Sequence, residues 1–188
     1  ISINPDGALF SSDFRAPVRL FALLMQAGGR AGRDAAFVSA QNSEGEMWVQ
    51  TFHPEHPLFE ALKRHDYPAF AAQQLLEREQ AGMPPFSFQA LVRAEARSQD
   101  VAQAFLNAAS GAGEGLPGAE QVFRFPAVPM TVQRVANIER AQMLIESDSR
   151  AALQRFLAAW QGVLHATRAQ PEHKGLIRWA IDVDPLMI

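Results

Sequence analysis

A proline pair constrains this 188-residue chain more than any other feature. Pro84-Pro85, preceded by Ala81-Gly82-Met83, stops a helix, because proline lacks the N–H and pushes the residue before it out of the helical region. The pair predicts a boundary, with one part over residues 1–80 and a second over residues 82–188. The length permits one domain or two small ones, at roughly 100–200 residues per domain. Apolar residues make up 48% and charged residues 20%, a balance that excludes a mostly disordered or fibrous chain. With no cysteine, disulfides, thiolate catalysis and cysteine zinc sites are excluded as well.

The first part carries mixed signals. Pro17 suits the start of a helix, and Leu20, Leu23, Leu24 and Ala27 fall at helical spacing before Gly28 and Gly29, which are expected to break it. Residues 45–52 alternate Met47, Val49 and Thr51 against Trp48, Gln50 and Phe52, which predicts a strand buried on both faces. Residues 57–80 read as helical, with Leu58, Leu62, Phe70, Leu75 and Leu76 as the apolar set and Pro68 splitting the run.

The second part has a clearer order. Strands are predicted over 86–95, 121–125, 141–147 and 176–183, and helices over 99–109 and 149–166. Ser98 or Gln99 stands near the start of the first helix and Ser149 at the N-cap of the second. The resulting β-α-β-β-α-β order predicts a split βαβ, ferredoxin-like sheet covered on one face by two helices. The fold class of the whole chain is therefore α/β.

Charge narrows the function classes. There are 17 Lys+Arg against 20 Asp+Glu, a formal net charge of −3. The excess lies in the first part, with seven basic and ten acidic residues; the second has ten of each. Bulk charge therefore does not hold this chain on nucleic acid, and any such contact must come from a local cluster. Arg124, Arg134 and Arg140 are the candidates, against scattered arginines on a solvated face. No continuous apolar stretch resembles a signal peptide, and residues 18–25 are interrupted by Arg19 and too short to span a bilayer, so no membrane association and an intracellular location are expected. The chain opens at Ile1 rather than Met, which raises the expectation of a piece of a longer protein.

Several features invite chemistry but have simpler structural readings. His53 and His56 flank Pro54-Glu55 as a sparse metal-like set; turn residues opening the next helix explain them better, so no metal site is assigned. Trp48, Trp160 and Trp179 are expected in the core rather than as base-stacking platforms. Asp182 and Asp184 alternate near Pro185 at a solvated strand end.

The densest motif is Gln26-Ala27-Gly28-Gly29-Arg30-Ala31-Gly32-Arg33. Two arginines three apart suit one oxyanion, because the guanidinium fork binds phosphate oxygens with paired hydrogen bonds. A Rossmann loop fits poorly, since the glycines follow a helix rather than a strand. On spacing alone, a glycine-rich helix end with two solvated arginines explains the motif equally well.

Gln-x-x-Gly-Arg-x-Gly-Arg is, however, similar to motif VI of superfamily-two helicases. Upstream, residues 6–16 (DGALFSSDFRA) resemble the motif V region of one such family. Downstream, 50–58, 66–70, 76–79, 82–86, 93–95, Ser149-Arg150 and 179–185 follow in that family's order. Together they resemble the C-terminal part of the primosomal protein N-prime (PriA) family, bacterial replication-restart helicases, over essentially the whole chain. The arginine motif alone points only to the superfamily.

The resemblance implies that 1–80 is the C-terminal portion of a RecA-like helicase lobe two, and that 82–188 is a DNA- or partner-binding ferredoxin-like domain. It implies a parent acting as a 3'-5' ATP-dependent helicase with ATP and Mg bound between lobes. Arg30 and Arg33 would face the γ-phosphate, Gln26 and Gly29 would couple nucleotide state to lobe closure, and Asp6 and Asp13 would lie near the lobe interface. Zinc belongs to a region upstream of this chain, and no cofactor is expected in this chain alone. Forked or single-stranded DNA, the missing lobe one, primosome proteins and single-stranded-DNA-binding protein are the implied partners, in the bacterial cytoplasm at the nucleoid.

The same resemblance limits what the chain can do. Only Lys63 and Lys174 are present, neither after glycine, so there is no phosphate loop; no Asp-Glu-x-His motif occurs either. The chain alone should be inert as an ATPase. Val18 and Gly28 depart from the family pattern, and residues 129–140, read as a loop, hold only Arg134 and Arg140 where relatives are richer in arginine. A lobe deprived of most of its sheet implies that residues 1–50 are poorly ordered, packed on the second part or engaged in a dimer. The different class of answer is a free-standing ferredoxin-like module for protein or RNA contacts.

Overall fold

Residues 4–11, 13–31 and 46–186 are described by the structure, a computed structural model. Two compact units divide the chain, Ile1–Gln80 and Ala81–Ile188. Among the described residues the first holds four α-helices and the second two α-helices and one five-stranded antiparallel sheet. None of these helices is long and apolar enough to cross a membrane.

The first unit is helical where it is described: α1 (Pro5–Leu9), α2 (Ala16–Ala31), α3 (Pro57–Lys63) and α4 (Tyr67–Gln80). Each begins with proline in its first two positions or an oxygen or nitrogen acceptor before it, as helix starts require. Asn4 accepts the Gly7 N–H at 3.1 Å, and His56 Nδ1 accepts the Leu58 N–H at 3.1 Å. Leu20, Phe21 and Leu24 of α2 bury against Leu58, Phe59, Leu62 and Phe70. The rings of Phe21 and Phe70 stack with centroids 4.4 Å apart.

Four expectations change in this unit. Gly28 and Gly29 do not break α2, which runs through them to Ala31. Each helical glycine costs about 1 kcal/mol relative to alanine, and packing of the helix on α3 and α4 outweighs that. Phe21 rather than Leu23 completes the core face; Leu23 is exposed, as are Leu75 and Leu76. Residues 46–52 have the expected alternation but form no strand, because no described segment pairs with them. Trp48 and Phe52 are therefore 88% and 90% exposed rather than buried, and Trp48 is not a core residue.

The second unit holds β1 (Phe88–Ala96), α5 (Gln99–Ala112), β2 (Phe123–Arg124), β3 (Val128–Val135), β4 (Ile138–Ser147), α6 (Arg150–Arg168) and β5 (Leu176–Val183). β4 and β1 are central, β5 lies beside β1, and β2 and β3 share the outer edge of β4. Phe88 sits opposite Ser147, and Ala96 opposite Glu139 and Leu176, which defines a Phe88 end and an Ala96 end of the sheet.

Alternation then assigns the faces. Ala90, Val92, Ala94 and Ala96 with Ala141, Met143 and Ile145 are fully buried beneath both helices. This alanine-rich floor is filled from above by Phe105, Phe156 and Trp160, and the Trp160 indole donates to the Ala109 carbonyl at 2.7 Å. Ser98 and Ser149 cap α5 and α6 by accepting the N–H groups of Val101 and Ala152.

The expected 121–125 strand shrinks to two residues, because Gly118 (φ 88°) opens a 3-10 turn over Ala119–Gln121. Residues 129–140 form no loop. They are strand β3, a two-residue turn at Ala136-Asn137 and the start of β4. Both turn residues have positive φ, 49° and 64°, the backbone that tight hairpin turns demand.

Candidate functional site

Gln26 and Arg30 stand four residues apart on the last turns of α2, so they share one face, and both are exposed. A Cβ on Gly29 would meet nothing within 4 Å, whereas one on Gly28 would touch Met47 Cε at 3.6 Å. The helix thus turns Gly28 inward and leaves Gly29 beside an open surface. Arg30 forms no ion pair with any described residue, and its charge sits favourably at a helix C-terminus. Arg33 lies outside the described residues. Beneath this turn, a cavity of about 350 Å³ is lined by Leu24, Gly28, Met47 and Phe59 together with Lys63 and His65.

The two aspartates have local tasks. Asp6 accepts the Thr51 hydroxyl and, at 3.1 Å, the Phe52 N–H, fastening α1 to the extended segment. The Thr51 bond above all holds its carboxyl below the ordinary value; slight burial opposes this, and the Phe52 N–H adds to it. Asp13 accepts the Arg15 N–H at 2.9 Å and pairs with Arg19, setting the start of α2. Burial works against its charge, yet the Arg15 N–H and the Arg19 guanidinium outweigh it and keep the pKa low. Nearby, the guanidinium groups of Arg15 and Arg78 both lie over the Phe14 ring, at 4.7 and 4.9 Å from its centre. No bond joins Asp6 or Asp13 to Gln26 or Arg30 among the described residues.

In the second unit the three candidate arginines separate. Arg124 is partly buried on the helix side, 5.4 Å from the Phe156 ring centre, with one guanidinium nitrogen wholly buried. Arg134 lies near the hairpin tip, donating to Asn137 at 2.7 Å beside Glu139 at 3.5 Å. Arg140 lies directly across from Glu95, at 3.7 Å. Arg124 is opposite Ile145 and Arg134 opposite Glu139, six residues along β4, or about 20 Å. Arg124 therefore joins neither of the others, while Arg134 and Arg140 share the Ala96 end.

Further cations meet there that sequence spacing does not reveal. Arg97 follows β1 and donates its backbone N–H to the Gly175 carbonyl at 2.9 Å, which sets it beside Lys174. Arg168, in the last turn of α6, donates to the Ile177 carbonyl at 3.1 Å, next to Arg178. Arg178 forks onto Glu95 with contacts of 2.6 and 2.9 Å. That fork holds Glu95 below its ordinary pKa against the opposing effect of burial, and it raises Arg178.

The charges are thus sorted along the strands. Toward the Ala96 end stand Arg97, Arg134, Arg140, Arg168, Lys174 and Arg178, against Glu95, Asp100, Glu139 and Glu172. Toward the Phe88 end stand Glu114, Glu120, Glu146, Asp148, Asp182 and Asp184, against Arg93, Arg124, Arg150 and Arg155. Phe123 and Phe125 are exposed at this acidic end, edge to face with ring centres 4.6 Å apart. Asp182 pairs with Arg93 at 2.9 Å, and Asp184 faces Arg150 at 3.8 Å.

The remaining candidates have structural roles. His56 caps α3, and burial lowers its pKa, with Glu77 opposing and His53 reinforcing. His53 packs edge-on against Phe10 at 4.8 Å. No group of three or more His, Asp or Glu converges on a metal-sized site among the described residues. Trp160 is fully buried, and Trp179 is half-buried against His165.

Comparison with known proteins sets this geometry in a family. The family model for the Primosomal protein N C-terminal domain matches residues 79–186. The chain is 37% identical to Replication restart protein PriA of Haemophilus influenzae over 97% of its own length and 23% of the relative's. It is 30% identical to the protein of the same name from Synechocystis, over 99% of this chain and 20% of the relative. Against that of Bacillus subtilis the identity is 27%, over 99% and 22%. The chain spans about a quarter or less of each of these relatives.

Proposed function

Because the chain belongs to the Primosomal protein N C-terminal domain family, we propose that it serves as the C-terminal region of a 3'-5' ATP-dependent DNA helicase in primosome assembly and replication restart. Residues 1–80 are the end of a RecA-like lobe two, and 82–188 a DNA- or partner-binding domain. Strand order supports a ferredoxin-like reading of that domain. With β2 and β3 counted as one interrupted edge strand, the order edge-β4-β1-β5 is what a split βαβ arrangement requires.

The observation that carries the motor reading is the exposed Gln26–Arg30 face of α2, which is free of ion pairs to described residues. An arginine that acts across a lobe interface must be presented without a local partner to absorb its charge. Arg30, with Arg33, would stabilise charge on the phosphoryl group in transfer when ATP and Mg are bound, and Gln26 and Gly29 would report nucleotide state. The residues present fit only this share of such a site: the chain has arginines and no phosphate loop. Asp6 and Asp13 would act there by positioning α1 and α2. Zinc would belong to the rest of the parent protein. Forked or single-stranded DNA, lobe one, primosome proteins and single-stranded-DNA-binding protein are its proposed partners, at the nucleoid in the cytoplasm.

The test is a chimera in which residues 1–188 replace the corresponding region of the Haemophilus influenzae relative. It should hydrolyse ATP in a DNA-stimulated manner, and Arg30→Ala should cut kcat by about 10³-fold or more while ATP still binds. An unchanged kcat would leave the free-standing protein- or RNA-binding module as the better account.

A further inference from the structure

We propose that the Ala96 end of the sheet is a docking surface for the phosphate backbone of duplex DNA, built from Arg97, Arg168, Lys174 and Arg178. This rests on the reading of the second unit as a nucleic-acid-binding domain and places the contact within it.

Topology assembles the surface. Arg97 and Lys174 are distant in sequence, yet the pairing of β1 with β5 and the Arg97 N–H bond to Gly175 set them side by side. Arg168 reaches the same strand end through the Ile177 carbonyl, and Arg178 follows directly. All four side chains are exposed, and neither Arg97 nor Lys174 forms an ion pair with a described residue. Charge complementarity selects a polyanion, because six of the ten acids of this neutral unit lie toward the opposite end and cations outnumber acids at this one. A charge-separated body approaches a polyanion with its basic pole first.

The aromatics select among polyanions. Single-strand binders combine a basic groove with exposed rings on which bases stack. Here the exposed pair Phe123–Phe125 sits among the acids at the Phe88 end, and among the described residues the one aromatic beside the four cations on their strand, Trp179, is half-buried against His165 rather than exposed. A surface with cations and no stacking platform suits backbone contact, and duplex DNA offers the denser charge, one per roughly 1.7 Å of axis. Glu95 tempers the surface by occupying Arg178 and part of Arg140.

The test is fluorescence anisotropy of the full chain with a labelled random duplex of about 20 base pairs, and with the matching single strand, between about 50 and 200 mM salt. Three phosphate contacts, from Arg97, Arg168 and Lys174 with Arg178 held by Glu95, predict a slope of log K against log salt of about −2.7 for the duplex. Arg97→Gln with Lys174→Gln should make it shallower by about 1.8, and Arg155→Gln, elsewhere on α6, should not change it. Glu95→Gln should tighten duplex binding and steepen the slope, a gain that misfolding does not mimic. Circular dichroism confirms that each variant is folded. Duplex binding with a slope indifferent to Arg97 and Lys174, or single-strand binding in preference to duplex, overturns this placement alone. Absence of binding to either nucleic acid at the lowest salt overturns the nucleic-acid reading of the unit with it.

Discussion

Gly118→Ala tests the packing of the second unit at one atom. Gly118 has φ 88°, a backbone that an L-residue with a Cβ adopts at a cost of roughly 1–2 kcal/mol. The added Cβ would also lie 2.9 Å from the Ala152 carbonyl oxygen and 3.6 Å from Phe156 Cβ. The first distance is well inside the roughly 3.5 Å at which non-bonded heavy atoms rest, and the obstacle is backbone in the first turn of α6, not a mobile side chain. Retreat would pull α6 from the alanine floor of the sheet, so the strain and the repacking together predict a loss of about 2–4 kcal/mol. For a unit of this size, that lowers Tm by about 10 °C or more. Thermal and urea unfolding, followed through the fluorescence of buried Trp160, would measure it. Gly115→Ala is the internal control, since its Cβ would meet nothing within 4 Å; alanine there should be neutral or stabilise by up to about 1 kcal/mol. Equal effects at the two positions, or a loss under about 0.5 kcal/mol at Gly118, would refute the reasoning.

Other consequences are as direct. His56 holds the start of α3 through an unprotonated Nδ1, and its folded pKa lies below the ordinary 6.5. That stability is complete above the unfolded pKa and is lost as pH falls through the depressed folded value. Urea midpoints of the first unit should therefore decline from about pH 6.5 toward pH 5, and His56→Asn, a cap that does not titrate, should flatten the decline. Trp160→Phe leaves the Ala109 carbonyl buried without its 2.7 Å donor and should destabilise by about 1–3 kcal/mol in urea titrations. Ser149→Ala removes the acceptor for the Ala152 N–H and should cost about 1 kcal/mol by the same measurement, while Ser149→Asp restores most of it.

What the sequence announced, and what it concealed, follows the range of the interactions. The N-cap at Ser149, the helix start at Ser98 or Gln99 and the strand Leu176–Val183 were readable because caps and alternation are local. Gly28-Gly29 misleads for the complementary reason: a helical penalty near 1 kcal/mol per glycine is small beside a buried face supplied by α3 and α4, which lie far along the chain. Residues 46–52 show a strand's alternation without a strand, since pairing depends on a neighbour that alternation cannot supply. The same division runs through the candidate site. Gln26 and Arg30 share a face by helical spacing alone, while Arg97 and Lys174 become neighbours only through strand pairing, and no signal in the linear sequence joins them. Arg124 shows the converse, since strand parity turns it toward Phe156 and away from the hairpin arginines.

The sorting of charge along the sheet changes how the second unit should behave on an ion-exchange column. With ten basic and ten acidic residues from Gly82 onward, its isoelectric point forecasts indifference to either resin near neutral pH. A particle with unlike poles instead presents whichever pole the matrix attracts, so retention on both cation and anion exchangers is the expected behaviour. Bulk charge is the wrong descriptor for such a body; its dipole moment is the quantity that purification and surface adsorption will sense.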